Sequence, residues 1–179
     1  LGDVYKRQIS RDVVKYLVGC GHRRIALVCG EYQKWAYMTE KYNGYVAGLR
    51  ECGIEPEFNL MLCEENPDES IRKMLERPDA MRPSALFCIS DGFAMRGQRH
   101  AVRMGMRLPN DLSVTGFGIT DSGAEAVAPL SSVDEKQELL GLTAFRLLTG
   151  TEIEFERDAD GTYRVPAELI KRESVFRNN

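Results

Sequence analysis

Residues 83–118, PSALFCISDGFAMRGQRHAVRMGMRLPNDLSVTGFG, constrain the fold more than any other stretch, because they read as one complete strand–helix–strand unit. An apolar run from Ala85 to Ile89 stops at Ser90-Asp91. A helix follows over 92–104, with Ala94, Ala101, Val102 and Met104 at helical spacing and Gly105 and Pro109 closing it. The second strand, Leu112 to Thr115, runs into another turn of glycine and polar residues. Two consecutive parallel strands place their carboxyl ends, and the small or polar residues there, on one rim of a sheet. Open α/β folds bind ligands at that rim.

The rest of the chain repeats the alternation. Val13, Val14, Leu17 and Val18 mark a helix over 11–18, Ile25 to Cys29 a buried strand, and Tyr42, Tyr45, Val46 and Leu49 one face of a helix over 39–51. Leu60 to Cys63 reads as a strand, and Ile71, Met74 and Leu75 as part of a further helix ended by Pro78. Elements in this order predict an α/β fold, a parallel sheet with helices on both faces. Beyond Pro129 the pattern changes: 135–148 is an apolar-rich helix stopped by Gly150, and EFERDADGTYRV, 154–165, reads as strand, turn and strand around Asp160-Gly161. The sequence contains no repeat and no transmembrane run.

With 179 residues and 43% apolar content the chain can bury a core as one domain, and a net charge of −3 without a dense Lys/Arg run argues against direct grip on a phosphate backbone. Five cysteines, Cys20, Cys29, Cys52, Cys63 and Cys88, sit in or beside apolar runs. Their spacing suits neither a zinc site nor a disulfide framework, so reduced thiols are expected. No catalytic constellation, cofactor motif or metal site emerges. Gly19-Cys20-Gly21 precedes its strand, whereas phosphate-cradling glycines follow one. The two histidines, His22 and His100, have no ligand spacing, and no serine sits in a nucleophile elbow. The first eight residues, LGDVYKRQ, lack a secretion signal's apolar core and show no helix or strand pattern. They are expected to be a non-native or disordered leader.

Several phrases occur together in a recognisable order: GHRRIALVCG at 21–30, KYNGYVAGLRECGI at 41–54, PSALFCISDGFAMRG at 83–97, LPNDLSVTGFG at 108–118, APLSSV at 128–133, LGLTAFRLL at 140–148 and PAELIKRESV at 166–175. In these the chain resembles the effector-binding (sensor) domain of the LacI/GalR family of bacterial transcription regulators, N-terminally truncated. The resemblance implies a type I periplasmic-binding-protein-like fold, represented mainly by the C-terminal lobe (9–129), with a crossover to the N-terminal lobe (130–165), a returning strand (166–175) and a tail (176–179). The helix at 135–148 would then have lost much of the lobe it covers, which predicts exposed leucines.

The same resemblance implies a cleft between lobes for a small effector, sugar-like or nucleobase-like. Lys41 stands where the family commonly has an arginine, and it keeps the charge but not the planar fork. It is either a ligand contact or a solvated lysine on a helix face. Ser90-Asp91 replaces the family's Asn-Asp pair. Ser90 can still exchange a hydrogen bond, and Asp91 is either a helix-start carboxylate or a ligand contact. Gly118 occupies the place of the aspartate in the family's Gly-Phe-Asp phrase, with Asp121 three residues beyond. Trp35 and Tyr37, in a loop expected to lean over the cleft, offer flat rings to a sugar or base; packing on the neighbouring helix is the alternative. By resemblance Met95, Ala126 and Val127 lie at a homodimer interface. The implied function is that of a cytoplasmic, non-enzymatic sensor that reaches operator DNA only through a domain absent from this chain, of helix-turn-helix or winged-helix type. The alternative is a periplasmic sugar-type receptor of a transport system, without membrane contact of its own.

Overall fold

The computed structural model describes residues 3–153, 161, 163 and 165–176. Six parallel or antiparallel strands form one sheet among them: β1 (Ile25–Val28), β2 (Met61–Leu62), β3 (Ala85–Cys88), β4 (Ser113–Phe117), β5 (Ser131–Asp134) and β6 (Glu168–Ile170), in the spatial order β2-β1-β3-β4-β5-β6. The first five run parallel, and β6 pairs antiparallel with β5, Val133 opposite Leu169. This is the α/β architecture expected from the sequence, a parallel sheet between two layers of helices, with one antiparallel edge.

Helices cover both faces, so the inner strands are apolar throughout rather than alternating. On one face, Ile25, Leu27, Phe87 and Val133 pack with Val13, Val14 and Leu17 of α1 (Asp3–Gly19) and with Tyr45 and Leu49 of α2 (Ala36–Glu51). On the other, Ala26, Val28, Leu86 and Val114 pack with Ile71 and Met74 of α3 (Asp68–Leu75) and with Ala94 and Ala101 of α4 (Asp91–Arg103). Neighbouring strand residues thus divide between two cores, as a pleat requires. Tyr45 reaches through the first core to donate its hydroxyl to the Ile25 carbonyl at 2.7 Å. Gly44 lets α2 press against α1, since a Cβ there would stand 2.3 Å from the Arg7 carbonyl oxygen.

The segment 1–8 corrects one expectation. Helix α1 begins at Asp3, not after the leader, because Ile9 is buried in the first core, Gln8 donates to Asp12 one turn on at 2.9 Å, and Lys6 pairs with Glu135 at 3.1 Å. Other limits move by a few residues. The second strand shrinks to Met61–Leu62 because Leu60 closes a 3₁₀ turn. Helix α2 starts at Ala36 because Trp35 is extended. The last helix, α6 (Gln137–Thr149), starts at Gln137 because Lys136 is left-handed, with φ 49°. Large apolar side chains on α6, among them Leu140, Leu142, Phe145, Leu147 and Leu148, are exposed. The strand–turn–strand expected at 154–165 lies mostly outside the described residues.

The C-terminal segment is tied in by one serine. Ser174 donates its hydroxyl to the Val114 carbonyl at 2.5 Å and accepts from the Ser131 amide at 2.8 Å, which closes the edge of β4 and β5 at their amino ends. The opposite, carboxyl rim is left for other uses.

Candidate functional site

At this rim β3 runs into Ser90-Asp91 and β4 into Gly118, and α5 (Asp121–Ala124) follows the turn after β4. Ser90, directly after β3, is extended and accepts the Phe93 amide at 3.3 Å. It is the N-cap of α4. This corrects the division of roles expected from the sequence, which gave the helix-start duty to Asp91.

Asp91 has a different task. Only 1% exposed, it accepts the Ser132 hydroxyl on Oδ1 at 2.5 Å, and the Thr120 amide (2.8 Å) and hydroxyl (3.0 Å) on Oδ2. Both oxygens are thereby used inside the protein, joining α4 to β5 and to the cap of α5. The structure therefore gives this carboxylate work inside the protein: it takes three hydrogen bonds from neighbouring elements on a side chain that solvent barely reaches. Gly116 makes the space, for a Cβ there would fall 2.1 Å from Asp91 Oδ1.

Lys41 is not the solvated lysine of a helix face. It is 4% exposed, donates Nζ to the Ile89 carbonyl at 3.3 Å, and stands 3.6 Å from Glu135 Oε2. Its Nζ also lies 3.7 Å from the centre of the Phe117 ring and 5.9 Å from that of Tyr37. Burial pulls the Lys41 pKa down to about 8, against the opposing pull of Glu135. Glu135 also holds Lys6, which sits 4.9 Å from the Tyr37 ring centre. Tyr5 belongs nearby: burial, then the Glu135 charge, pushes its hydroxyl pKa up to about 12. Glu135, Lys6, Tyr5 and Phe117 were missed from sequence. The signal for Phe117 was its place beside Gly118; the others carry none, because their meeting depends on the fold of α1 against β5.

The remaining site residues separate into two clefts. Gly118, with φ 119°, lines a cleft of about 560 Å³ with Ile119, Asp134, Lys136, Glu138 and Leu142, between the rim and the start of α6. Trp35, 57% exposed, lines a second of about 190 Å³ with Gly30, Glu31, Lys34, Met38 and Phe93. Tyr37 is exposed and belongs with Lys41. Asp91 is brought together with Ser132 and Thr120 beneath this surface, while Ser90 caps α4 beside it. Asp121 stays at the start of α5, immediately after the cap Thr120. Of the three positions placed at the interface, Val127 is exposed, while Met95 and Ala126 are half-buried against the second core. Among the described residues no group of three or more His, Cys, Asp or Glu could hold a metal ion, and no helix is long and apolar enough to cross a membrane.

The profile of the periplasmic binding protein-like domain matches residues 14–175. The chain belongs to this family. It is similar to the HTH-type transcriptional repressor CytR of Escherichia coli K12, 30% identical over 168 residues, covering 92% of this chain and 48% of the repressor. It is also similar to the repressor PurR of Erwinia tasmaniensis, 32% identical over 163 residues, covering 90% and 47%. The chain thus spans about half the length of these relatives. A LacI-family sugar-binding regulator of Escherichia coli, crystallised with phosphate, superposes with a TM-score of 0.82 over 97% of this chain and 62% of that one, at 24% identity. That likeness shows the shared fold. The curated relatives are repressors of the LacI family, which does not favour a transport receptor.

Proposed function

We propose that this chain is the effector-binding and dimerisation portion of a bacterial LacI-type transcription regulator, acting in the cytoplasm. The observation that carries it is the pairing of a carboxyl-rim cleft of about 560 Å³ with family membership shared with transcriptional repressors. The effector is small and sugar-like or nucleobase-like. Gly118, Trp35, Tyr37 and Lys41 supply its contacts, while Ser90 and Asp91 hold the rim in shape. Operator DNA is reached through a domain outside this chain, and no residue here is assigned a catalytic role.

Regulation follows from linkage. An effector that binds one arrangement of the rim better than another shifts the population toward it, and operator affinity changes by the same differential free energy. A homodimer transmits that shift, with Val127, Ala126 and Met95 at its interface. Val127 is the cleanest probe because it is exposed. Val127→Asp should give monomers by light scattering, and an intact dimer would remove the interface from this loop.

The decisive experiment is thermal unfolding of the full chain against a panel of monosaccharides and nucleosides, followed by tryptophan emission with each compound that stabilises it. Trp35 is the one tryptophan in the sequence, so its signal needs no assignment. A stabilising sugar or nucleoside that also shifts this emission supports the proposal. A panel without a stabilising member, or binding that leaves Trp35 silent, would count against effector binding and against Trp35 respectively.

A further inference from the structure

Cys29 and Cys63 are 34 positions apart in the chain, yet the Cys29 thiol donates to Cys63 Sγ at 2.8 Å. Their backbones stand one step beyond the Val28–Leu62 pair of the parallel β1–β2 ladder, and the Cys29 amide makes the next ladder bond to the Leu62 carbonyl at 3.0 Å. Register partners in a parallel ladder point to the same face, and both cysteines do lie against the first core. Adjacent strands are about 4.8 Å apart, inside the span of roughly 4.4–6.8 Å between Cα atoms that a disulfide bridges. Cys88, by contrast, belongs to the core on the other face.

Access to the two sulfurs is unequal. Cys29 is fully buried, whereas Cys63 is half-buried and opens on a cavity of about 310 Å³ that it lines with Glu31, Gln33 and Lys34. We infer that Cys29 and Cys63 form a dithiol that a small-molecule disulfide entering this cavity converts reversibly into a Cys29–Cys63 disulfide. Cys63 attacks first: its thiolate displaces one thiolate from the small disulfide and leaves a mixed disulfide on Cys63. Cys29 then gives its proton to the first released thiolate and attacks Cys63 Sγ, expelling the second small thiolate, which takes from water the proton that Cys63 gave up. Two protein thiols are oxidised and one small disulfide is reduced to two thiols, which balances atoms and electrons. The order of attack agrees with the hydrogen bond: accepting the Cys29 thiol pulls the Cys63 pKa down, while donating it pushes Cys29 up.

The bridge would close a loop containing α2, and with it Trp35, Tyr37 and Lys41, and would pin the two-residue edge strand β2. This makes the rim sensitive to thiol redox state whatever its effector is, so the inference does not rest on the proposed function. The sequence spacing that argued against a disulfide framework stands for the permanent kind; a reversible pair is a feature of the folded ladder.

The test is oxidised glutathione added to the reduced full chain, followed by unfolding, alkylation and peptide mass mapping. Two of the five thiols should disappear, with a Cys29–Cys63 cross-linked peptide that dithiothreitol reverses, while Cys20, Cys52 and Cys88 remain alkylated. In Cys29→Ser, glutathione should stay on Cys63, because the resolving thiol is gone. In Cys63→Ser, Cys29 should remain alkylatable after exposure. Five free thiols in the wild type, a stable glutathione adduct on its Cys63, or a bridge through another cysteine would each overturn the pairing.

Discussion

Asp91 and Lys41 are opposite charges buried at the same carboxyl rim, and the protein treats them in opposite ways. Asp91 receives three hydrogen bonds from two elements, all within 3.0 Å. Lys41 makes a 3.3 Å bond to one carbonyl, faces a carboxylate at 3.6 Å, and otherwise meets the faces of Phe117 and Tyr37. A buried charge with its partners in place is scaffold, since any further contact must first break one. A buried ammonium with three donors and few close oxygens gains whenever a new oxygen arrives. Under the proposed function Lys41 is therefore the rim charge that an effector hydroxyl or carbonyl would reward, and Asp91 the one that holds the rim ready.

The largest effect should come from breaking the scaffold side. Asp91→Ala leaves the Ser132 hydroxyl and the Thr120 amide and hydroxyl without their acceptor, and should cost about 3 kcal/mol of unfolding free energy in urea. Gly116→Ala should approach the same loss without touching the charge, because its methyl would claim the space of Oδ1. A loss below about 1 kcal/mol in both variants would break the contrast, since Asp91 would then be no better anchored than Lys41.

The next effect separates the two by pH. The Lys41 pKa is about 8 in the folded chain against 10.5 for an ordinary lysine, so its burial destabilises the fold below pH 8. Between these values the unfolded chain binds more protons than the folded one, so stability gains with rising pH. Relative to Lys41→Met, the wild type should therefore gain on the order of 2 kcal/mol from pH 7 to pH 10. Taking the difference cancels the tyrosines, whose raised values act in the opposite direction over the same range. A flat difference would mean that Lys41 is as well paired as Asp91.

Residues 83–118 were legible because everything in them is local: an apolar run, a capped helix and a second run adjoin in sequence, and the covered sheet turns apolar runs into strands. The antiparallel β6 and the early start of α1 were harder. Three residues of β6 carry little pattern, and the N-terminal turns of α1 are held by Lys6 meeting Glu135, a partner far along the chain. The same limit applies at the site. Gly118 and Trp35 could be placed at the rim from their positions after strands, but the internal pairing of Asp91 depends on Thr120 and Ser132 arriving from other elements. In the phrase Gly116-Phe117-Gly118 the sequence suggests a lost acid, whereas the fold shows Gly116 making room for Asp91 and Phe117 backing Lys41.

A smaller change weakens the scaffold by a single bond. Ser132→Ala removes the donor to Oδ1 while leaving the Thr120 pair on Oδ2, so the loss should be about 1–2 kcal/mol, and Asp91→Ala in that background should cost less than it does alone. Additive losses would show that the two oxygens are not parts of one junction.

The smallest effect concerns Ser90, which neighbours Asp91 but touches only the backbone of α4. Ser90→Ala removes the hydroxyl that accepts the Phe93 amide, and N-cap losses of this kind cost about 1 kcal/mol. Ser90→Asp restores an acceptor at the same place and adds a favourable charge at the helix start, so it should recover the stability that alanine loses. If Ser90 served the effector instead, the two readouts would part company: affinity for a stabilising sugar or nucleoside would fall in both variants, since neither has the hydroxyl donor, while stability would fall only in Ser90→Ala. Urea unfolding and titration of the same two proteins thus measure how far the scaffold extends along the rim. Unchanged affinity with a recovered midpoint in Ser90→Asp places Ser90 beside Asp91, and lost affinity in both places it beside Lys41.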